Sequence, residues 1–157
     1  MDIIVKEAFS VIGIEGSTSM GEGFVQKLWA EANAHFGEVA HLAKRNPDGS
    51  FAGFWGAMSD MERRYQPWSD GFTKGLYLAG VEVNADAQPP EGWVRWDMPG
   101  FEFVRIAADS PDAFARGLRL LENNRLQLTG AVQDFTDPAT GANYMLFPIR
   151  RLGEQNS

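Results

Sequence analysis

The sequence predicts an α+β fold in which two similar strand–helix–strand–strand units pair about a pseudo-two-fold, with a ligand groove between the halves. Three observations lead there. The same order of alternating and helically periodic segments occurs twice, and a Pro/Gly-rich stretch separates the two occurrences. The length, 157 residues, is that of a single domain. Units of about residues 2–83 and 93–152, joined by a linker at 84–92, make one domain over 1–157.

In the first unit, residues 3–14 are β-branched and aromatic and read as a strand. GSTSMGEG (16–23) is a loop carrying a Ser/Thr cap into a helix, whose stripe Phe24, Leu28, Ala32, Phe36 and Val39 runs to about His41. KRNPDGS (44–50) is a turn. Strands follow at 51–59 and 75–83, separated by a long loop at 60–74 that contains Tyr65 and Trp68. A connection of that length suggests a functional segment, here a movable wall folded toward the groove.

The second unit opens on a strand-like stretch at 93–107 with a bend at Pro99–Gly100. Ser110–Pro111 is a helix start, a hydroxyl cap before proline, and Phe114, Leu118 and Leu121 form the helix stripe. Strands at 128–136 and 143–152 complete the unit, and 153–157 is expected to fray. Residues 9–14 can be laid on 101–106 and 76–81 on 143–148, which matches Tyr77 with Tyr144 and Gly80 with Phe147. Six main strands and two main helices are therefore expected, in two superposable halves.

Composition narrows the chemistry. Lys+Arg number 14 and Asp+Glu 21, so the net charge is −7, and the pI is near 4.8. That balance disfavours direct DNA binding and suits a cationic or neutral ligand. There is no cysteine, which excludes disulfides, thiol nucleophiles and thiolate metal sites. His35 and His41 stand six apart, off the spacing of a helical metal pair, and no metal is expected. Phosphate-loop, nucleophile-elbow and zinc-helix motifs are missing, and Gly21-Glu22-Gly23 lacks the third glycine of a dinucleotide fingerprint. No cofactor is expected. No apolar run is long enough for a membrane span and no signal peptide is evident, so a cytoplasmic protein is expected.

Acids inside strands are more informative. Glu102 lies between Phe101 and Phe103, sharing a face with Val104 and Ile106. Glu82 lies between Val81 and Val83, sharing a face with Leu78 and Gly80. A carboxylate in an apolar wall is costly unless it is paired, exposed, neutralised or awaiting a partner. The alternative for both is a solvent-facing position bonded to an arginine such as Arg95 or Arg105. Asp134, alternating with Val132 near a turn, is expected to be solvated. Aromatics make up 12% of the chain, with Trp55, Trp93 and Trp96 in strands and Tyr65 and Trp68 on the loop. Aromatic faces around one carboxylate would make a receptor for an organic cation or a flat hydrophobic molecule.

FAGFWGAMSD followed by PWSDGFTKGLYLAGVEV, and the ending GAVQDFTDP…YMLFPIRR, resemble the GyrI-like small-molecule-binding family. This is the effector-binding domain of AraC-type and multidrug-responsive MerR-type regulators. The resemblance spans about residues 2–152, and its most specific pieces are AGVEV (79–83) and FPI (147–149). It implies an antiparallel α+β fold of two βαββ units with a groove across the pseudo-two-fold. It also implies a ligand that is hydrophobic, often cationic, held by aromatic walls and a glutamate. Regulators of this type carry a helix-turn-helix domain, whereas this sequence opens on the first strand, so a stand-alone member is expected.

The glutamate that commonly precedes the last strand motif in drug-binding members is replaced here by Tyr144. Glu102 and Glu82 are the substitutes by strand face, with Tyr144, Tyr77, Trp55, Trp68, Tyr65 and Trp96 as the aromatic part of the ligand site. Glu102 facing the cleft is the central expectation. The function expected is sequestering or sensing a hydrophobic small molecule, without turnover and without direct DNA or membrane binding, a homodimer being possible. Two alternatives are a hydrolase of reactive hydrophobic natural products, using a glutamate and an aromatic cage, and a protein-interaction module of the gyrase-inhibitor kind.

Overall fold

The computed structural model describes residues 1–153, so the fraying expected at the C-terminus lies, from 154 on, outside the described residues. Eight antiparallel strands form one curled sheet, accompanied by three helices. In chain order these are β1 (Ile3–Lys6), β2 (Phe9–Ser17), α1 (Phe24–Ala34), β3 (Phe54–Ser59) and the single turn α2 (Ser69–Phe72). Then come β4 (Leu76–Val83), β5 (Val94–Met98), β6 (Phe101–Ala107), α3 (Ala113–Asn123), β7 (Gln133–Thr136) and β8 (Asn143–Arg151). The order across the sheet is β1-β6-β8-β7-β3-β4-β2-β5.

Two of the expected strands are each two strands. Residues 3–14 break at Glu7–Ala8, and 93–107 break at the Pro99–Gly100 bend. Each break sends the chain to a different place in the sheet. β1 pairs with β6, next to the second unit's strands, while β2 pairs with β4 and β5. Eight strands therefore stand where six were expected. The stretch expected as a strand at 128–136 is strand only from Gln133, because the residues before it make single bonds, one to β8 and one to the 60–74 loop, and no ladder. The Thr129 amide donates to the Pro148 carbonyl and the Ala131 amide to the Tyr65 carbonyl. The helix expected to reach His41 ends at Ala34 and continues as two 3-10 turns, Phe36–Glu38 and Ala40–Leu42, around the poor helix former Gly37. Gly23, in the left-handed region, caps α1 in place of a hydroxyl. α3 begins at Ala113 with Asp112 as cap, and Ser110 hydrogen-bonds to that aspartate.

Alternation along the strands divides the apolar residues between two sheet faces. On the helix face, α1 packs Phe24, Leu28 and Ala32 against Ile12, Ala79 and Val81. On the same face α3 packs Leu121 against Val104, Val132 and Phe147. Gly117 belongs to that packing: a Cβ there would collide with the Phe147 ring, so only glycine lets α3 lie this close to β8. The opposite face curls around a third core of Val11, Trp55, Trp96, Phe101, Phe103 and Leu146. Its residues come from both ends of the sheet, and Phe9 lies against Trp55 there with ring centroids 4.5 Å apart. Among the described residues no helix is long and apolar enough to cross a membrane.

Candidate functional site

The two sheet halves meet where β3 pairs with β7, and on the helix face this seam lies between α1 and α3. Gly56 of β3 is opposite Asp134 of β7. A Cβ at Gly56 would collide with the Tyr77 hydroxyl and with Asp134 Cβ. Its absence lets Tyr77 reach over from β4 and donate its hydroxyl hydrogen to Asp134 Oδ2 at 3.0 Å. Trp29 Nε1 of α1 donates in turn to the Tyr77 hydroxyl oxygen, also at 3.0 Å. A glycine inside an aromatic-rich strand marks such a close approach. The result is a relay, Trp29 to Tyr77 to Asp134, that ends on a carboxyl at the seam.

Cavities open on either side of this relay. One, of about 240 Å³, is apolar and lined by Met58, Trp68, Phe72, Phe114, Val132 and Met145. The other, also about 240 Å³, is more polar and takes in Trp29, Gly56, Tyr77, Asp134, Thr136 and Asn143. Val132 lies just before β7, and Asp134 and Thr136 follow two and four residues on, so the two cavities are neighbours along the seam and together make the groove.

Asp134 is half-buried and, among the described residues, has no ion pair; its one hydrogen-bond donor is Tyr77. Burial pushes its carboxyl up from 3.8 to about 6, against the smaller lowering effect of the Tyr77 hydrogen bond. Burial also raises the Tyr77 hydroxyl, reinforced by the neighbouring Asp134 charge, so Tyr77 stays a neutral donor. The groove thus holds an acid that ionises just below neutral pH, with apolar and aromatic walls beside it. Sequence reading expected Asp134 to be solvated from its nearness to a turn. The packing of Tyr77, Trp29 and Gly56 around it reverses that.

The other expected site residues divide between the faces. Tyr77 is at the base of the groove and 2% exposed. Trp68 forms part of its wall, with its ring Nε1 donating to the Leu76 carbonyl at 3.0 Å. Phe72, next to Trp68 in the same loop, meets Phe114 edge-on across the mouth, with centroids 5.2 Å apart. Tyr65 takes the opposite direction and packs edge-on against Trp96 at 6.1 Å, so the loop 60–74 sends Trp68 and Phe72 to the groove side and Tyr65 to the curled face. Trp55 and Trp96 are buried in the core of the curled face. Their ring nitrogens donate to Glu82 at 3.1 Å and to Glu15 at 2.9 Å. Tyr144 packs against that core too, stacked on Phe135 and covered by the Arg105 guanidinium at 4.6 Å, and it also lines the polar cavity that holds Asp134 and Tyr77.

Glu82 is buried on the curled face, and its charge is already matched. Lys6 Nζ lies 2.8 Å from Glu82 Oε2, and Lys44 Nζ lies 3.9 Å from the same oxygen. Glu102, expected to face the cleft and not the helices, does not line the groove. Phe101 and Phe103 point to the curled face, which leaves Glu102 with Val104 and Ile106 on the side of α3. There the arginine that pairs with it is Arg150, directly opposite on β8, with Nη2 at 3.0 Å. The arginines considered from sequence are engaged elsewhere, Arg95 with Asp97 and Arg105 with Asp2.

No protein-family model matches the chain, and no curated relative does. Solved structures do match over almost its whole length. An integron cassette protein from the mobile metagenome of Vibrio cholerae is 14% identical with a TM-score of 0.57, covering 95% of each chain. SAV2435, solved bound to tetraphenylphosphonium, is 12% identical with a TM-score of 0.52, covering 95% of this chain and 93% of its own. A putative bacterial transcription regulation protein from Staphylococcus aureus MU50 is 14% identical with a TM-score of 0.51, covering 95% of this chain and 97% of its own. At these identities the likeness is one of fold.

Proposed function

We propose that this chain is a small-molecule-binding protein of GyrI-like architecture that sequesters or senses a hydrophobic cation in the groove between α1 and α3. The observation that carries this reading is Asp134, a half-buried carboxyl with no ion pair among the described residues, lining the polar cavity beside an apolar one walled by Trp68 and Phe114. An ionised acid in such a place is short of a counter-charge, and a lipophilic cation supplies one together with surface for Trp68 and Phe114. In the family resemblance that role belongs to a glutamate, and here Asp134 fills it in place of Glu102 or Glu82.

The architecture supports the reading. From the seam outward the strands run β3-β4-β2-β5 on one side and β7-β8-β6-β1 on the other, each set with one long helix. That matches two βαββ units related by a pseudo-two-fold through the seam, with β1 and β5 as exchanged edge strands. The neighbour of like fold bound to tetraphenylphosphonium makes that cation a natural probe. A second reading, hydrolysis of a reactive hydrophobic compound, draws on the same residue. A carboxyl that ionises near pH 6 can act as a general base toward water.

Tetraphenylphosphonium titrated calorimetrically at pH 7.5 is expected to bind with a Kd of about micromolar order. Asp134→Asn should weaken it by about tenfold or more, the equivalent of one desolvated charge contact. No binding, or equal affinity in the two proteins, would refute the reading. Recovery of the probe unchanged after long incubation separates binding from turnover only for compounds with a hydrolysable bond, so a strained electrophile serves that arm.

A further inference from the structure

Asp134 has two carboxylate oxygens in unlike situations. Oδ2 accepts the Tyr77 hydroxyl hydrogen, whereas Oδ1 has no hydrogen-bond partner among the described residues. No side-chain oxygen or nitrogen among those residues is both sealed from solvent and unpartnered. Oδ1 is therefore open, and the space it opens to is the groove. The two compartments differ as well. Toward Val132 the groove is apolar, with Trp68, Phe114 and two methionines, and toward Thr136 it is polar. Residues two apart on a strand are separated by about 6.7 Å along the backbone, so the two compartments flank Asp134 at residue spacings of that order.

Charge alone would be met by any organic cation. An open lone pair asks for more once a ligand displaces the water that reaches it, because an acceptor stripped of water and given no donor is penalised. A phosphonium or quaternary ammonium presents only carbon to Oδ1. An ammonium with an N–H gives it a charge-assisted hydrogen bond. Resting on the binding reading above, we propose that the ligand is an elongated amphiphilic amine. Its aryl or branched apolar body sits beside Trp68 and Phe114, and a protonated amino group with at least one N–H, on a short tether, meets Asp134 Oδ1. Any further polar substituent extends toward Thr136 and Asn143.

The test uses three ligands of one shape: 4,4-diphenylbutylamine, its N,N,N-trimethylammonium analogue and 4,4-diphenylbutan-1-ol, with tetraphenylphosphonium alongside. Calorimetry at pH 7.5 on the intact protein is expected to rank the primary amine at least tenfold tighter than the other two diphenylbutyl compounds. In Asp134→Asn, a near-isostere that keeps an acceptor for Tyr77, the amine should lose its lead and bind no better than the alcohol. A trimethylammonium analogue that binds as well as the amine would overturn this inference, and if tetraphenylphosphonium also binds, the cation-binding reading survives it. Absence of binding by all four compounds would overturn both.

Discussion

Replacing Lys6 by methionine is expected to destabilise the protein by about 3 kcal/mol, the cost of leaving a buried acid without its counter-charge. Glu82 is 1% exposed, and Lys6 Nζ at 2.8 Å is its close cation; Lys44 at 3.9 Å is farther and more exposed. The methionine keeps the apolar stem over the Phe9 ring, where Lys6 Nζ now lies 4.9 Å from the centroid, so the loss reports the charge more than the packing. Adding Glu82→Gln should return most of the stability, since the amide oxygen still accepts from Trp55 Nε1 and no charge remains buried. Urea unfolding at pH 7 of the wild type and the two variants measures this. The account fails if Lys6→Met costs under about 0.5 kcal/mol, the range of an ordinary surface change.

Asp134→Asn is expected to stabilise the protein at pH 7.5 by about 2–3 kcal/mol. The folded-state carboxyl ionises near 6 against 3.8 in the open chain, about two units at about 1.4 kcal/mol each. Between those values the folded state binds more protons than the unfolded state. Stability is therefore fully present below about pH 4 and is lost as pH rises through about 6. The substituted amide, uncharged throughout, has no such loss. Asp97 and Asp112 act in the opposite sense, because hydrogen bonds from Ser10 and Ser110 hold their carboxyls low. Their contribution falls away only in more acidic solution, and comparing wild type with variant cancels it. Denaturation at pH 4 and 7.5 should show the two proteins close at the lower pH and apart at the higher. A gap independent of pH would mean that Asp134 is not the titrating group.

The same acid explains why the site was only partly legible in the sequence. Alternation and turn residues carried the order of the elements and the bend at Pro99–Gly100, because both are local. They carried no information about which strand lies beside which. Glu82 and Glu102 look alike in sequence, each an acid between apolar neighbours. What separates them is long-range: Lys6 arrives from 76 positions away, and Arg150 from 48. Laying Tyr77 on Tyr144 put together two rings that lie on opposite sheet faces, one with α1's core and one with the curled core. Superposable units cannot be in that register. Asp134 was visible as an acid two residues from Val132. Its burial depends on Trp29, Gly56 and Tyr77 converging from three other elements, and only Gly56, a small residue inside an aromatic strand, left a local trace.

The most direct measurement is a crystal structure of the protein with tetraphenylphosphonium bound. The account predicts density for the cation on the helix face, against Trp68 and Phe114, with phosphorus in the groove beside Asp134 and the Lys6–Glu82 pair undisturbed on the other face. Density on the curled face, seated against Trp55 with Lys6 displaced from Glu82, would contradict it.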